Sequence, residues 1–262
     1  MIRKVGIIAA ALSLALSGAS AMAKVSEAEA NKLGNELTPL GAEKAGNADG
    51  SIPAWTGGIT ETPSGYSVGD HHPDPYPNDK VLFEITAQNY KEYSDMLSEG
   101  QKKLFEAYPE TFRMPVYETR RSASNPQDIY DATKANATRA ELLDGGNGIK
   151  GAAIGIPFPI PQNGLEAIWN HILRYRGEAV QRYGGQAAVT SSGDYNVIGF
   201  DEQLLIQYAK EGVTPEQLVE DNILFMFKQK VTEPARLAGT ALLVHETVDQ
   251  IKEPRKAWTY NT

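Results

Sequence analysis

The chain of 262 residues carries 25 Lys and Arg against 33 Asp and Glu, a net charge of −8, with 41% hydrophobic residues and no cysteine. The acidic balance argues against nucleic acid or an anionic membrane surface as partner, and the missing cysteine excludes disulfides, thiolate metal sites and a lipid-modified N-terminal cysteine. The length allows a sizeable core, in one large domain or two small ones.

The opening "MIRKVGIIAAALSLALSGASAMAK" sets Arg3 and Lys4 before an apolar run broken only by Ser13, then small residues and Ala21-Met22-Ala23. This is the pattern of a secretory signal peptide over 1–23, with cleavage expected after Ala23; the run is too short to span a bilayer. Its loss removes two basic residues, so the exported chain is more acidic still. No later stretch is apolar enough, for long enough, to be a membrane helix.

Residues 24–85 read as an extended arm with one short helix. Ser26 is placed to cap that helix, Glu29 sits at the reciprocal capping position and Gly34 is a stop. The stretch 38–79 is rich in Gly, Pro, Asn and Asp and cannot form a core of its own, so it should lie on the surface of something else. Trp55, between Pro53 and Gly57, is its expected anchor.

Residues 86–262 read as helices followed by an antiparallel sheet, within a longer domain. The first helix starts at Thr86, with Ile85 and Tyr90 as a hydrophobic staple and Tyr90, Tyr93, Leu97, Leu104 and Tyr108 as its buried stripe. Pro109 ends it. "KANATRAELLD" is a shorter helix that stops at Gly145-Gly146. Then comes "GIPFPIPQNGLEAIWNHILRYRG", in which Pro157, Pro159 and Pro161 remove alternate backbone donors and rule out a central strand. Asn163 caps the helix that follows, with Glu166 in capping-box position. Leu165, Ile168, Trp169 and Ile172 share one face, and Arg174 and Arg176 complement the C-terminal dipole before Gly177. The stiff ribbon and the helix look like one unit.

After Gly184-Gly185 the period changes to that of strands: "QAAVTS", "YNVIGFDEQLLIQY", "NILFMFKQKV", "RLAGTALLVHETV" and "KAWTY", with a capped helical turn at "VTPEQLVED" and a hairpin link from Thr232 to Pro234. Ile223, Phe225 and Phe227 point one way and Leu224 and Met226 the other, so both faces are partly apolar and both need a cover, helix or ligand. Helices first and successively linked strands afterwards make an α+β fold with an antiparallel sheet. Trp258 and Tyr260 in the last strand leave an open edge.

Several motifs weigh less than they look. Gly146, Gly148 and Gly151 match a dinucleotide fingerprint, but a helix precedes them and Pro157 follows, so a turn is the better reading. Asn47, Asp49 and Ser51 open like a calcium loop, yet Ile52 and Gly58 stand where Gly and Glu are needed, which favours an Asx turn. Adjacent His71 and His72 point to different sides, and the default is a solvated pair rather than a metal site. A nucleophile elbow, a metalloprotease helix and a phosphate loop are all missing. Phe200, Phe225, Phe227 and Leu243 are either plain core or the lining of an apolar ligand cavity.

Five separated blocks, "LTPLGAEKAGNADGSIPAWTGG", "NDKVLFEITAQNY", "YPETFRMPVYETRRS", "GIPFPIPQNGLEAIWNHILRYRG" and "PARLAGTALLVHETVDQIKEPRKAWTYN", together resemble DUF1329, a family of Gram-negative periplasmic proteins similar to outer-membrane lipoprotein-sorting factors. The resemblance implies a strongly curved antiparallel sheet, an incomplete barrel with covering helices and an apolar hollow for acyl chains. It also implies transporters of the resistance-nodulation-division type or outer-membrane proteins as partners, and brings no catalytic residue, metal or cofactor. Family members continue past the equivalent of "RKAWTYN", so the chain is expected to be part of a longer protein.

On this reading the chain is a periplasmic carrier of a lipid or another hydrophobic ligand. Phe158, Ile168, Trp169 and Ile172 form a lid over a hollow lined by Phe200, Phe225, Phe227 and Leu243. A module docking on a transporter or outer-membrane protein through the "DGSIPAWTGG" arm is the second reading. A lipid-ester hydrolase, without motif support, is the third.

Overall fold

The structure, a computed structural model, describes residues 24–261, and the expected signal peptide at 1–23 lies outside them. Short helix α1 (Glu27–Ala30) is followed by the irregular arm. Strands β1 (Phe83–Ile85) and β2 (Met114–Val116) then pair around helix α2 (Glu99–Ala107). Helix α3 (Gln127–Ala137), the small pair β3 (Glu141–Leu142) and β4 (Ile149–Lys150), and helix α4 (Gly164–Ile172) lead to the main sheet. That sheet runs in sequential order through β5 (Ala179–Val189), β6 (Tyr195–Leu205), β7 (Phe225–Glu233), β8 (Ala241–Glu246) and β9 (Lys256–Tyr260), with helix α5 (Pro215–Asp221) between β6 and β7. Every pairing is antiparallel, and the sheet is open, with β5 and β9 at its edges. The α+β class and the antiparallel pairing therefore hold, without closure into a barrel.

The arm lies on the body as its composition requires. Trp55 Nε1 donates to the Ala123 carbonyl at 2.9 Å, which makes it the expected anchor. A second fastening was not legible in the sequence: the Arg121 guanidinium donates to the carbonyls of Glu43 at 2.7 Å, Lys44 at 3.1 Å and Pro53 at 3.3 Å. One rigid fork thus adds donors to carbonyls from two stretches of an irregular segment, beside the Trp55 N–H that already reaches the Lys44 carbonyl at 2.9 Å. Gly41, at φ +89°, runs so close to the proline ribbon that a Cβ there would stand 1.7 Å from the Pro159 carbonyl oxygen.

Several helix expectations need correction. Ser26 accepts from Glu29 N at 3.2 Å, but Glu29 turns to Lys32 instead of closing the box. The single helix expected from Thr86 is a 3-10 stretch, Tyr90–Met96, and then α2, separated by an extended Leu97. Ser98 forms a complete capping box with Gln101 and restarts the helix in a new phase. Tyr90 and Leu97 are buried with Ile85 as expected, yet Leu104 and Tyr108 are exposed and Phe105, fully buried, fills the core of this unit. Likewise α3 starts seven residues before the expected Lys134 and ends at Ala137, so "RAELLD" leaves the helix for β3. The cause is Asn136, wholly buried, whose amide nitrogen donates to the carbonyls of Ala153 and Gly155 at 3.0 Å and of Ile156 at 3.3 Å.

That contact draws the proline ribbon through the middle of the molecule. Pro157 is fully buried and Phe158 nearly so, and the Tyr208 hydroxyl donates to the Gly155 carbonyl at 2.6 Å. Burial pushes the Tyr208 phenol far above its ordinary value, so it stays a neutral donor. Asn170 on α4 holds Phe158 from both sides, accepting from its N–H at 2.8 Å and donating to its carbonyl at 2.6 Å. Trp169 donates to the Gly146 carbonyl at 3.0 Å and packs into the main core with Ile149, Leu173, Tyr208 and Leu224. Ribbon and helix do form one unit, but α4 ends at Ile172, with Arg174 donating to the His171 carbonyl at 2.6 Å.

This core backs only one end of the main sheet, where β6 runs into Ile206 and Tyr208 and where Leu224 leads into β7. β5 begins before Gly184-Gly185, which sit inside the strand, and β8 is shorter than expected because 234–240 forms the connection to β7. Away from the core end the sheet projects, and Tyr183, Val189 and Tyr195 are well exposed.

Candidate ligand-binding face

The register decides what each face of the sheet offers. Residues directly opposite one another across antiparallel strands share a face, and successive rows alternate. One face holds the row Ala179, Leu205, Met226, His245, Lys256, then Gln181, Gln203, Lys228, Leu243, Trp258, then Tyr183, Asp201, Lys230, Ala241, Tyr260. The other holds Val180, Leu204, Phe227, Val244 and Ala257, together with Glu202, Phe200 and Phe225.

The first face carries a groove of about 440 Å³, lined among the described residues by β5, β6, β7 and β8. Its floor is apolar, and Leu205 at 43% and Leu243 at 38% exposure remain open to solvent beside Met226. Gln181, Gln203 and Lys228 add polar groups around it. Trp258, 48% exposed, flanks Leu243 from β9 and meets the His245 ring edge-on at 5.0 Å. An open apolar surface ringed by a few polar groups can bury a flexible apolar ligand.

The opposite face is organised differently. Glu202, 91% buried, accepts from Arg182 Nε and from Gln229 Nε2, both at 2.6 Å, so a satisfied polar cluster interrupts its apolar row. This spends its polar groups internally.

The eight residues expected to line a hollow are thus dispersed. Phe227 and Leu243 do line the groove, though they belong to opposite sides of the pleat. Phe200 shares the Phe227 side. Phe225 and Ile172 pack on the edge of the main core, and Phe158 and Trp169 are inside it. Ile168 is 57% exposed and stands apart from the groove lining. The ribbon and α4 are therefore part of the body, and the lid geometry is not what positions the groove. Leu205, Met226 and Lys228, which also line the groove, were hidden because alternation within a strand does not reveal its register with the next one.

Other candidates resolve locally. Asp49 accepts from Ser51 N at 2.9 Å and Asn47 from Ile52 N at 2.8 Å, an Asx-type turn. The glycines at 146, 148 and 151 lie in and around the β3–β4 turn, with a strand after it instead of a helix. His72 packs on Tyr66, and among the described residues no group of three or more His, Cys, Asp or Glu could hold a metal ion. A second apolar hollow of about 320 Å³ lies under the arm between Trp55, Leu40 and Tyr130. A third, polar one surrounds the Arg120 fork on Asp79, and that guanidinium holds the Asp79 carboxyl below its usual range.

Fold and face together define a mixed helix-and-sheet protein whose open antiparallel sheet carries an apolar groove. Residues 84–262 match the family described as protein of unknown function, DUF1329, and the chain belongs to it. The chain is 50% identical over 250 residues to an uncharacterized protein of Pseudomonas aeruginosa, a match that covers 95% of this chain and 54% of that protein. It therefore spans about half the length of that relative. No solved structure matches the chain.

Proposed function

We propose that this chain belongs to a periplasmic carrier that holds a lipid or another hydrophobic molecule against the groove face of its main sheet, without catalysis and without a cofactor. One observation carries the reading: a groove of about 440 Å³ whose apolar floor of Leu205, Met226 and Leu243 is left open. Covering such a floor yields about 25 cal/mol per Å² of apolar area removed from water, enough for useful affinity while the ligand stays exchangeable. In this proposal the sheet is one wall of an incomplete barrel like that of the periplasmic lipoprotein carriers. The segment 1–23 directs export and is cleaved after Ala23, and a resistance-nodulation-division transporter or an outer-membrane protein hands over or receives the ligand.

The test is the intact mass of the protein taken from its host's periplasm, under native and then denaturing conditions. A lipid-sized adduct that is lost on denaturation, and that is absent from Leu243→Asp protein of unchanged melting temperature, is the expected result. A ligand-free native mass, or an adduct retained by Leu243→Asp, would overturn the assignment to this groove.

A further inference from the structure

The groove face differs from the rest of the chain in its charge. In a protein of net charge −8, this face presents Lys228, Lys230 and Lys256 against two acidic residues, Asp201 and, one row beyond, Glu233, whose side chain lies over Gly199. Lys256 is paired with Glu253 at 2.5 Å, and Asp201 accepts from Gln181 Nε2 at 3.1 Å. The ammonium groups of Lys228 and Lys230 meet no hydrogen-bond or ion-pair partner among the described residues; Lys230 faces Asp201 across the strands without forming an ion pair. Solvated lysines are ordinary on protein surfaces. What sets these two apart is their place: Lys228 itself lines the groove between Gln203 and Leu243, and Lys230 follows two residues further along the same face of β7.

Two residues along a strand separate side chains by about 6.6 Å, close enough for both ammonium groups to reach one small anion. Next to them the floor turns apolar at Leu205, Met226 and Leu243. Two lysines and an apolar run thus stand in continuous order on this face. A volume of about 440 Å³ sits in the lower part of the roughly 300–1,000 Å³ typical of small-ligand sites, which suits one tail better than two.

Resting on the carrier reading above, we infer that the ligand is a long-chain carboxylate, its tail on Leu205, Met226 and Leu243 and its head between Lys228 and Lys230. The purified chain, stripped of bound lipid, is titrated by calorimetry with dodecanoate, dodecanol and dodecyltrimethylammonium below their aggregation limits, at low and high salt. Dodecanoate is expected to bind at least tenfold more tightly than dodecanol, with the cation weakest, and the preference should shrink at high salt. Lys228→Gln with Lys230→Gln should bring dodecanoate down to dodecanol, while the paired Arg replacements keep the preference.

Equal binding of the three probes, or a preference untouched in the Gln variant, would overturn the carboxylate assignment and leave the carrier reading standing. Binding of none of them would overturn both. If the protein then also sediments as a concentration-dependent dimer that Leu205→Glu dissociates, the face belongs to a second copy of this chain.

Discussion

Asn136 shows how much one buried side chain can decide. Its amide supplies donors to three ribbon carbonyls, and its oxygen accepts from Ala153 N at 3.3 Å and from Arg139 at 2.9 Å. Removing it strands several buried groups at once, each worth about 1–3 kcal/mol. Asn136→Ala is therefore expected to lower unfolding free energy by about 3 kcal/mol or more in urea titration; a loss below about 1 kcal/mol would show that water replaces the amide. Asp79 offers a pH test with a definite sign. Its carboxyl is held low chiefly by the hydrogen bond from Arg120, so the contact contributes stability above the unfolded carboxyl value, about pH 4, and loses it as pH falls through the lower folded value. Arg120 also lies 4.9 Å from the Tyr76 ring centre. Acid titration followed by the Tyr76 ring resonances should accordingly show a transition below pH 4, and Arg120→Gln should move it upward; a transition unmoved in that variant would contradict the pairing.

At the scale of elements, local signals were legible where a cap or a turn chemistry names its own position. Asn163 before α4, the capped turn at "VTPEQLVED", which is α5 closed by Thr214 with Gln217, and Trp55 in the arm all stand where the sequence places them. The break at Leu97 was not, because a periodic apolar pattern continues smoothly across a change of helical phase, and only the Ser98 capping box marks the restart. The arm can be tested through its glycines. Gly34 and Gly41 both have positive φ, but a Cβ at Gly34 meets nothing within 4 Å whereas one at Gly41 strikes the Pro159 carbonyl. Gly34→Ala should cost about 1 kcal/mol of backbone strain, and Gly41→Ala clearly more, with faster proteolysis of 36–60. Equal melting temperatures for the two would mean that the arm does not rest on the ribbon.

At the scale of the whole molecule, the core and the groove occupy different parts of the same sheet, and mutations should separate them. Trp169→Asp buries an unpaired charge in the main core, so calorimetry should show a loss of several degrees in melting temperature whatever the ligand. Leu205→Glu, on the open groove floor, should leave the melting temperature of ligand-free protein nearly unchanged and weaken dodecanoate binding at least tenfold. The reverse pattern would exchange the two roles. By itself the sequence determined the class of the fold, the caps of α4 and α5, the anchor of the arm, the ribbon that cannot be a strand, and membership of the family, because each is written in neighbouring residues or in blocks of identity. Only the tertiary structure decided that the ribbon and Trp169 lie inside the body, that Arg121 clasps the arm, and that Leu205, Met226, Lys228 and Leu243 meet on one face. These depend on register and on contacts between residues far apart in the chain, and a one-residue slip of any one of these strands would have turned its own side chains to the opposite side.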